Sequence, residues 1–279
     1  MLINKRLEYY FEEELKYLKK EFKAILSYLN KFNIKIKDLD KKLELLNFYI
    51  TDEQVFSFFA RNGNEYVIQI GDVYAACAPV ITNDLDEIAI ICSSKCLEKN
   101  YIKIHELFHF ITMNYEKGYV KVGVEKYNEN TKRNIGIECI NEGIAEYFSI
   151  RIYKKMDKKL YNEYINSEDI FNSYYYLRLL IELLCYKDRL LEEKLLKAVI
   201  NNDSEYIFKM LCESFGITLN ELLNLFERAN IYAIDKKDKV GYEIFLEDIY
   251  NVIKYYYYNV YKKKRSDVKF IERMFKLFL

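Results

Sequence analysis

The sequence predicts an α+β fold, with a small β-sheet in the N-terminal half and a mainly α-helical C-terminal half. Two observations lead to this prediction. One proline and eight glycines in 279 residues leave few chain breakers, which favours long helices over a many-turned all-β fold. Between residues 52 and 92, however, β-rich runs are separated by Gly71-Asp72 and Asn83-Asp84. We therefore expect a small sheet accompanied by helices.

The N-terminal half begins with a predicted amphipathic helix over residues 6–30. Its apolar residues recur at i, i+3 and i+4, with charged residues between them. These apolar positions are Leu7, Phe11, Leu15, Leu18, Phe22, Ile25 and Leu29. Strands are expected at 66–70, 73–81 and 87–92, after which helical spacing returns over 95–114.

The rest of the chain continues with a polar segment and then helices. Residues 117–138 predict a hairpin or long loop around a polar tip at 128–134, and a second helix should begin at about Cys139. After residue 156 the chain reads as helices joined by short polar turns. We divide it into an N-terminal helical segment (1–50), an α+β subdomain (51–155) and a helical C-terminal subdomain (156–279).

Charge and composition narrow the possible partners. Lys+Arg and Asp+Glu both number 43, so the overall charge does not indicate nucleic acid as a partner. Glutamates near the N-terminus replace the apolar core of a secretory signal, and no apolar run reaches the length of a membrane span. We expect a soluble cytoplasmic protein. The Tyr- and Lys-rich residues 253–279 fit core tyrosines and a solvated turn better than a membrane or nucleic-acid patch.

The six cysteines do not have the density of a disulfide scaffold. Cys92 and Cys96 are spaced closely enough to share a metal, but neither a second cysteine pair nor a nearby histidine completes a zinc-finger pattern. We therefore interpret the cysteines as small core residues.

Both histidines of the chain lie in the stretch "IHELFHF", as His105 and His109, and Glu106 follows the first. On a helix these three residues fall within an arc of about 100°, so both imidazoles can reach one cation. Apolar neighbours give the same helix a surface for burial. Zinc needs a third protein ligand, and a catalytic site keeps a fourth position open for water.

The stretch "CINEGIAEYFSIRIY" supplies a candidate third ligand. Glu142 and Glu146 lie one helical turn apart among apolar residues, so at least one carboxylate should be buried. A buried carboxylate requires a cation or hydrogen-bond donors. The residue pattern leaves open which of the two would bind the metal.

Together the two stretches resemble the gluzincin-type zinc metallopeptidases, in which His-Glu-x-x-His is followed on a second helix by a glutamate ligand. "HELFH" matches the first part and "NEGIAE" resembles the second. The pattern after Glu142 is also similar to that of ImmA/IrrE-type proteases of bacterial mobile elements. The 32 residues between His109 and Glu142 exceed the interval in thermolysin-like and aminopeptidase-like members.

The resemblance covers about residues 100–152 and implies a zinc peptidase with its site in a cleft between the two halves. It implies His105, His109 and Glu142 as zinc ligands, with Glu146 as the outer carboxylate that accepts the second ring N–H of His105. Glu106 would be the general base towards water and later protonate the leaving amine.

The oxyanion of such a reaction requires a further donor. With no third histidine in the chain, a tyrosine or an arginine must serve. Tyr174 is our candidate because it shares a predicted helical face with Leu177, Ile181 and Leu184. We expect the strand nearest the zinc helix, at about Ile88 to Ser93, to pair with an extended peptide. This expectation favours an endopeptidase over an aminopeptidase.

Two other classes of function remain open from the sequence. A structural zinc protein would close the fourth coordination position with a cysteine such as Cys139. A metal-free helical interaction or regulatory module would use the amphipathic N-terminal helix and the basic C-terminus. Metal analysis separates the second class from the others, and peptide cleavage separates a peptidase from a structural zinc protein.

Overall fold

The structure is a computed structural model, and it confirms the α+β class. It describes most of the chain between residues 16 and 224. The described residues are 16–51, 56–59, 65–68, 75–81, 86–94, 98–116, 119–128, 133–136, 138–165, 178, 181–182, 184–185 and 189–224. The predicted helix over 6–30 is confirmed for its described part, whereas residues 6–15 and the basic C-terminus lie outside the described residues.

Seven α-helices have both ends within the described residues, and a 3-10 turn at Lys16–Leu18 precedes them. The helices are α1 Lys19–Asn30, α2 Leu39–Leu45, α3 Asn100–Thr112, α4 Glu138–Met156, α5 Lys158–Ile165, α6 Arg189–Ile200 and α7 Ser204–Phe215. The strands are β1 Leu46–Thr51, β2 Phe56–Phe59, β3 Glu65–Ile68, β4 Ala75–Ile81, β5 Asp86–Ser93, β6 Met113–Glu116, β7 Tyr119–Val122, β8 Glu125–Asn128 and β9 Arg133–Gly136.

The largest sheet is mixed and has the strand order β1-β5-β4. β5 pairs in parallel with β1, where Leu46 faces Ile88, and antiparallel with β4, where Ala75 faces Cys92. The sequence pattern missed β1, which lies in the segment we expected to be helical. Its partner is about forty residues away along the chain, and such non-local pairing leaves no periodic signal in a six-residue run.

The polar segment between α3 and α4 forms two short antiparallel pairs, β6 with β7 and β8 with β9. The predicted hairpin around residues 128–134 is thereby confirmed. Gly123, between the two pairs, has a φ of +59°, and a Cβ there would lie 2.5 Å from Oδ1 of Asn141. Asn141 accepts the N–H of Val124 at 2.6 Å and donates to its carbonyl at 3.3 Å, which ties this segment to α4.

The core is arranged around α3. Every residue of this helix from Ile102 to Thr112 is buried, as expected for a helix covered on all sides. It packs against α1, α4, α6 and the sheet. Phe108 of α3 stacks on Phe148 of α4 with a centroid separation of 5.3 Å. One hydrophobic core includes residues from each of the three predicted segments, for example Leu18, Ile90 and Leu195.

The helices in the described part of the chain are all too short or too polar to cross a membrane. Beyond residue 156, the described elements α5, α6 and α7 are helical, as the sequence predicts.

Candidate metal centre

The helix that carries both histidines is fixed at each end by a buried lysine. Near its start, Lys103 forms an ion pair with Glu21 of α1 at 2.9 Å. At its end, the ammonium of Lys42 donates to the carbonyl oxygen of Ile111 at 2.8 Å. Thr112 Oγ1 also donates to the His109 carbonyl at 2.9 Å. The contacts from Lys42 and Thr112 supply donors to carbonyl oxygens in the last turn of the helix, where intrahelical donors run out.

α3 and α4 bring the predicted ligands together. His105 Nε2 lies 3.0 Å from His109 Nε2 and 3.0 Å from Glu142 Oε2. His109 Nε2 lies 3.3 Å from Glu142 Oε1. One donor atom from each of the three residues lies within 4.8 Å of the others. We call these three residues the imidazole–carboxylate cluster.

The second ring nitrogen of His105 contacts a different carboxylate. Nδ1 of His105 lies 3.0 Å from Oε2 of Glu146, which is one helical turn after Glu142. Glu146 is buried. A proton on Nδ1 leaves Nε2 of the neutral ring with a lone pair that faces the cluster, so this contact selects the tautomer that a metal ligand needs.

The protonation of the cluster is shifted by these contacts. Burial lowers the pKa of His105, but the hydrogen bonds with Glu142 and Glu146 outweigh it, so the pKa lies well above its ordinary value. Burial raises the pKa of the Glu142 carboxyl, yet the neighbouring His109 charge and both imidazole hydrogen bonds hold it well below its usual range. Both shifts favour a protonated His105 imidazole beside an ionised Glu142 carboxylate.

The donor set fits a zinc ion. Two imidazole nitrogens and one carboxylate are a known ligand combination for catalytic zinc, and their convergence needs no rearrangement of the helices. The match is chemical as well as geometric, because the partly buried carboxylate of Glu142 contacts two imidazoles, which carry positive charge when protonated.

Glu106 lies beside the cluster without belonging to it. Its carboxyl is buried, and this burial raises its pKa, although the charges of His105 and His109 act in the opposite direction. The backbone N–H of Cys77 in β4 also donates a hydrogen bond to the Glu106 carboxylate. A carboxylate with a raised pKa and a fixed position suits proton transfer near neutral pH.

The expectation that β5 pairs with an extended peptide is wrong. Both edges of β5 are already used, by β1 on one side and β4 on the other, so its backbone groups have partners. Within the described sheet, β4 is the edge strand on the side of Glu106. The chain's single proline, Pro79, lies in β4, as expected for an edge strand, where a missing N–H is tolerated.

The structure therefore brings together five of the residues predicted from sequence, namely His105, Glu106, His109, Glu142 and Glu146. Tyr174 and the side chain of Cys139 lie outside the described residues. Sequence reasoning missed Cys77 and also Tyr164, whose hydroxyl donates to Glu146 at 3.3 Å. With 28 tyrosines in the chain, residue type alone gives no signal for Tyr164.

Cys92, half of the close cysteine pair, is buried in the sheet beside Ala75 and Ile102, and Cys96 lies outside the described residues. The four cysteines whose side chains are described, at positions 77, 92, 185 and 212, are not in disulfides. Comparison of the chain with known protein families, curated proteins and solved structures finds no match.

Proposed function

We propose that the protein is a zinc-dependent peptidase of the gluzincin type, with an endopeptidase favoured over an aminopeptidase. The observation that supports this most strongly is the convergence of His105 Nε2, His109 Nε2 and a Glu142 carboxylate oxygen within 4.8 Å. Glu106 lies next to these donors in a buried position. This combination provides both a metal site and a base that is not needed as a ligand.

His105, His109 and Glu142 would hold the ion. A zinc ion with three protein ligands lowers the pKa of a water molecule from 15.7 to about 7 and polarises a carbonyl group. Imidazole nitrogens favour zinc over magnesium or calcium, which prefer oxygen ligands. Glu146 holds His105 through Nδ1 and keeps its Nε2 directed at the cluster.

Glu106 carries the proton in this proposal. It accepts a proton from the water that attacks the peptide carbonyl, and it delivers that proton to the amine that leaves. Burial supports this exchange because it raises the pKa of the carboxyl towards neutrality. The backbone hydrogen bond from Cys77 keeps the carboxylate next to the sheet edge.

The position of β4 at the edge of the described sheet supports the proposal of a peptide substrate. An extended peptide can add to a sheet edge through main-chain hydrogen bonds, and β4 presents such an edge within the described sheet. The hydrogen bond from the Cys77 backbone to the Glu106 carboxylate supports this, because it ties the proposed base to that edge. A cleft between the two halves, with Tyr174 as the oxyanion donor, remains part of the proposal. The described cysteines are not in disulfides, which supports action in the reducing cytoplasm. The balanced overall charge supports peptide or protein substrates rather than nucleic acid.

The proposal is tested by measuring metal content and peptide cleavage on the same preparations. The wild type should carry about one zinc per chain and cleave members of a random peptide library. Glu106→Gln should keep the zinc and lose turnover by about 100- to 10,000-fold, because it removes the base and leaves the ligands intact. Glu163→Gln, on an exposed face of α5, is the matched control and should cleave like the wild type.

Near-normal hydrolysis by Glu106→Gln would reject the assigned mechanism. Stoichiometric zinc in a His105→Ala, His109→Ala double variant would reject the site. Zinc binding without cleavage of any library peptide would instead favour a zinc-binding protein without turnover. A wild type that binds no zinc would favour the metal-free helical interaction or regulatory module.

A further inference from the structure

Glu146 is held by two hydrogen-bond donors, one for each carboxylate oxygen. Oε2 lies 3.0 Å from His105 Nδ1, and Oε1 accepts the hydroxyl of Tyr164 at 3.3 Å. Glu146 and Tyr164 are both buried. Because the two donors contact different oxygens, they fix the plane of the carboxylate as well as its position.

Tyr164 is itself held by packing. Its ring lies against Tyr101, with a centroid separation of 4.3 Å, and Tyr101 is one helical turn before His105 on α3. Tyr164 belongs to the short helix α5, which begins directly after Asp157. The carboxylate of Asp157 accepts the N–H groups of Lys159 and Leu160 at 3.0 Å each and so caps α5.

We propose that Tyr164 is a positioning residue for the metal centre, whose hydroxyl holds Glu146 in the orientation in which this carboxylate accepts the His105 Nδ1–H. The inference rests on the proposed zinc site and extends it from the second helix to a third. Two consecutive hydrogen bonds then connect α5 to the imidazole that carries the donor atom Nε2: Tyr164 to Glu146, and Glu146 to His105.

The proposed role has a specific physical consequence. Without the hydroxyl, Oε1 of Glu146 loses this donor, so the carboxylate is less firmly oriented and its hydrogen bond to His105 becomes less well directed. An imidazole with a weaker partner is a less basic and less well-oriented ligand. The effect should be smaller than that of losing Glu146 itself, because the tyrosine acts one contact further from the ion.

The test is a double-mutant cycle on zinc affinity, measured with zinc ion alone by competition with a chelator. Tyr164→Phe should weaken zinc binding by about 3- to 10-fold, below the 10- to 100-fold typical of direct outer partners. Tyr153→Phe is the matched control, because Tyr153 belongs to the same buried group of tyrosines, with its ring 6.4 Å from that of Tyr164. This control should bind zinc like the wild type.

The double-mutant cycle shows whether Tyr164 affects zinc affinity through Glu146. In a Glu146→Ala background, Tyr164→Phe should have no further effect, because the acceptor is gone. If that background does not fold, Glu146→Gln replaces it, and the Tyr164→Phe effect should then shrink because the acceptor is no longer charged. A purely structural role would instead weaken zinc binding equally in both backgrounds and would overturn the proposal.

The failure of this inference is distinguishable from the failure of the zinc site. If the wild type binds zinc and Tyr164→Phe binds it equally well, the role of Tyr164 is rejected and the site stands. If the wild type binds no zinc, both proposals are rejected.

Discussion

Two polar groups of residues lie on opposite faces of α4, and they differ in how their carboxylates are neutralised. On one face, Glu142 contacts the two imidazoles of the imidazole–carboxylate cluster. On the other, Glu192 of α6 receives two hydrogen bonds from Arg151, at 3.1 and 2.9 Å, and one from the hydroxyl of Tyr28. Arg151 follows Glu142 by nine positions, which places the two residues about 180° apart around the helix.

The difference lies in the cation. A guanidinium is always charged, so the Arg151–Glu192 pair is complete within the protein and joins α1, α4 and α6. An imidazole is charged only when it holds a proton, so the cluster around Glu142 changes its state with the arrival of a proton or a metal. The first group therefore serves as a structural link, and the second is suited to binding an ion. Each of the following predictions tests this contrast.

The largest effect is expected for Glu142→Gln, measured as zinc affinity. The substitution removes a charged ligand, so zinc should bind more than about 100-fold more weakly, beyond the range typical of residues that contact a ligand indirectly. Chelator competition measures the affinity. The stability of the metal-free protein should fall less than the zinc affinity, because the amide oxygen of glutamine can still accept a hydrogen bond from the imidazoles. Large destabilisation with unchanged zinc affinity would show that Glu142, like Glu192, is a structural carboxylate and not a metal ligand.

A smaller effect on the same quantity is expected for Glu146→Gln. This residue contacts His105 rather than the cluster atoms, so zinc affinity should fall by about 10- to 100-fold. The comparison of the two glutamine variants by the same chelator assay sets their order. If Glu146→Gln is the weaker binder of the two, then Glu146 is the ligand and the assignment is wrong by one helical turn.

The reverse pattern is expected for Glu192→Gln. The variant leaves Arg151 without its carboxylate, and we expect the free energy of unfolding to fall by about 1 to 3 kcal/mol, since Arg151 is half exposed and water screens part of the loss. Urea denaturation in the presence of a chelator measures this change. Zinc affinity should stay within about twofold of the wild type. Glu193→Gln, next along α6 and more exposed, is the matched control and should leave both quantities unchanged.

The sequence was informative where a local pattern coincided with distinctive chemistry. His105 and His109 are the only histidines of the chain, and their spacing on a helix already places both rings on one face. Glu142 and Glu146 have the same four-residue spacing on α4, so they also share a helical face. For these residues, helical periodicity alone fixes which side chains share a face, so the structure needed only to bring the two faces together.

The remaining contacts depend on elements far apart in the chain. Glu192 occurs in the stretch "LLEEKLL", whose charges read as a solvated helix face, and its burial depends on Arg151, 41 residues away. Tyr164 is one of 28 tyrosines. The order of the sheet is likewise non-local, and it decided that β4 rather than β5 presents an edge. Periodicity contains no information on such pairings.

The smallest expected effect is a pH dependence of stability caused by Lys42. This buried lysine differs from Arg151 because its described partner is a carbonyl oxygen, not a carboxylate. Burial lowers its pKa from 10.5 to about 8. Between these values the unfolded chain holds the proton and the folded protein does not, so stability should rise as the pH increases from about 8 to 10.5. The slope contributed by one such group is at most about 1.4 kcal/mol per pH unit. Lys42→Met should remove this rise, whereas Lys41→Met, exposed on the same helix, should retain it. Urea denaturation at several pH values measures the slope, and an equal slope in the wild type and Lys42→Met would show that Lys42 stays charged in the folded protein.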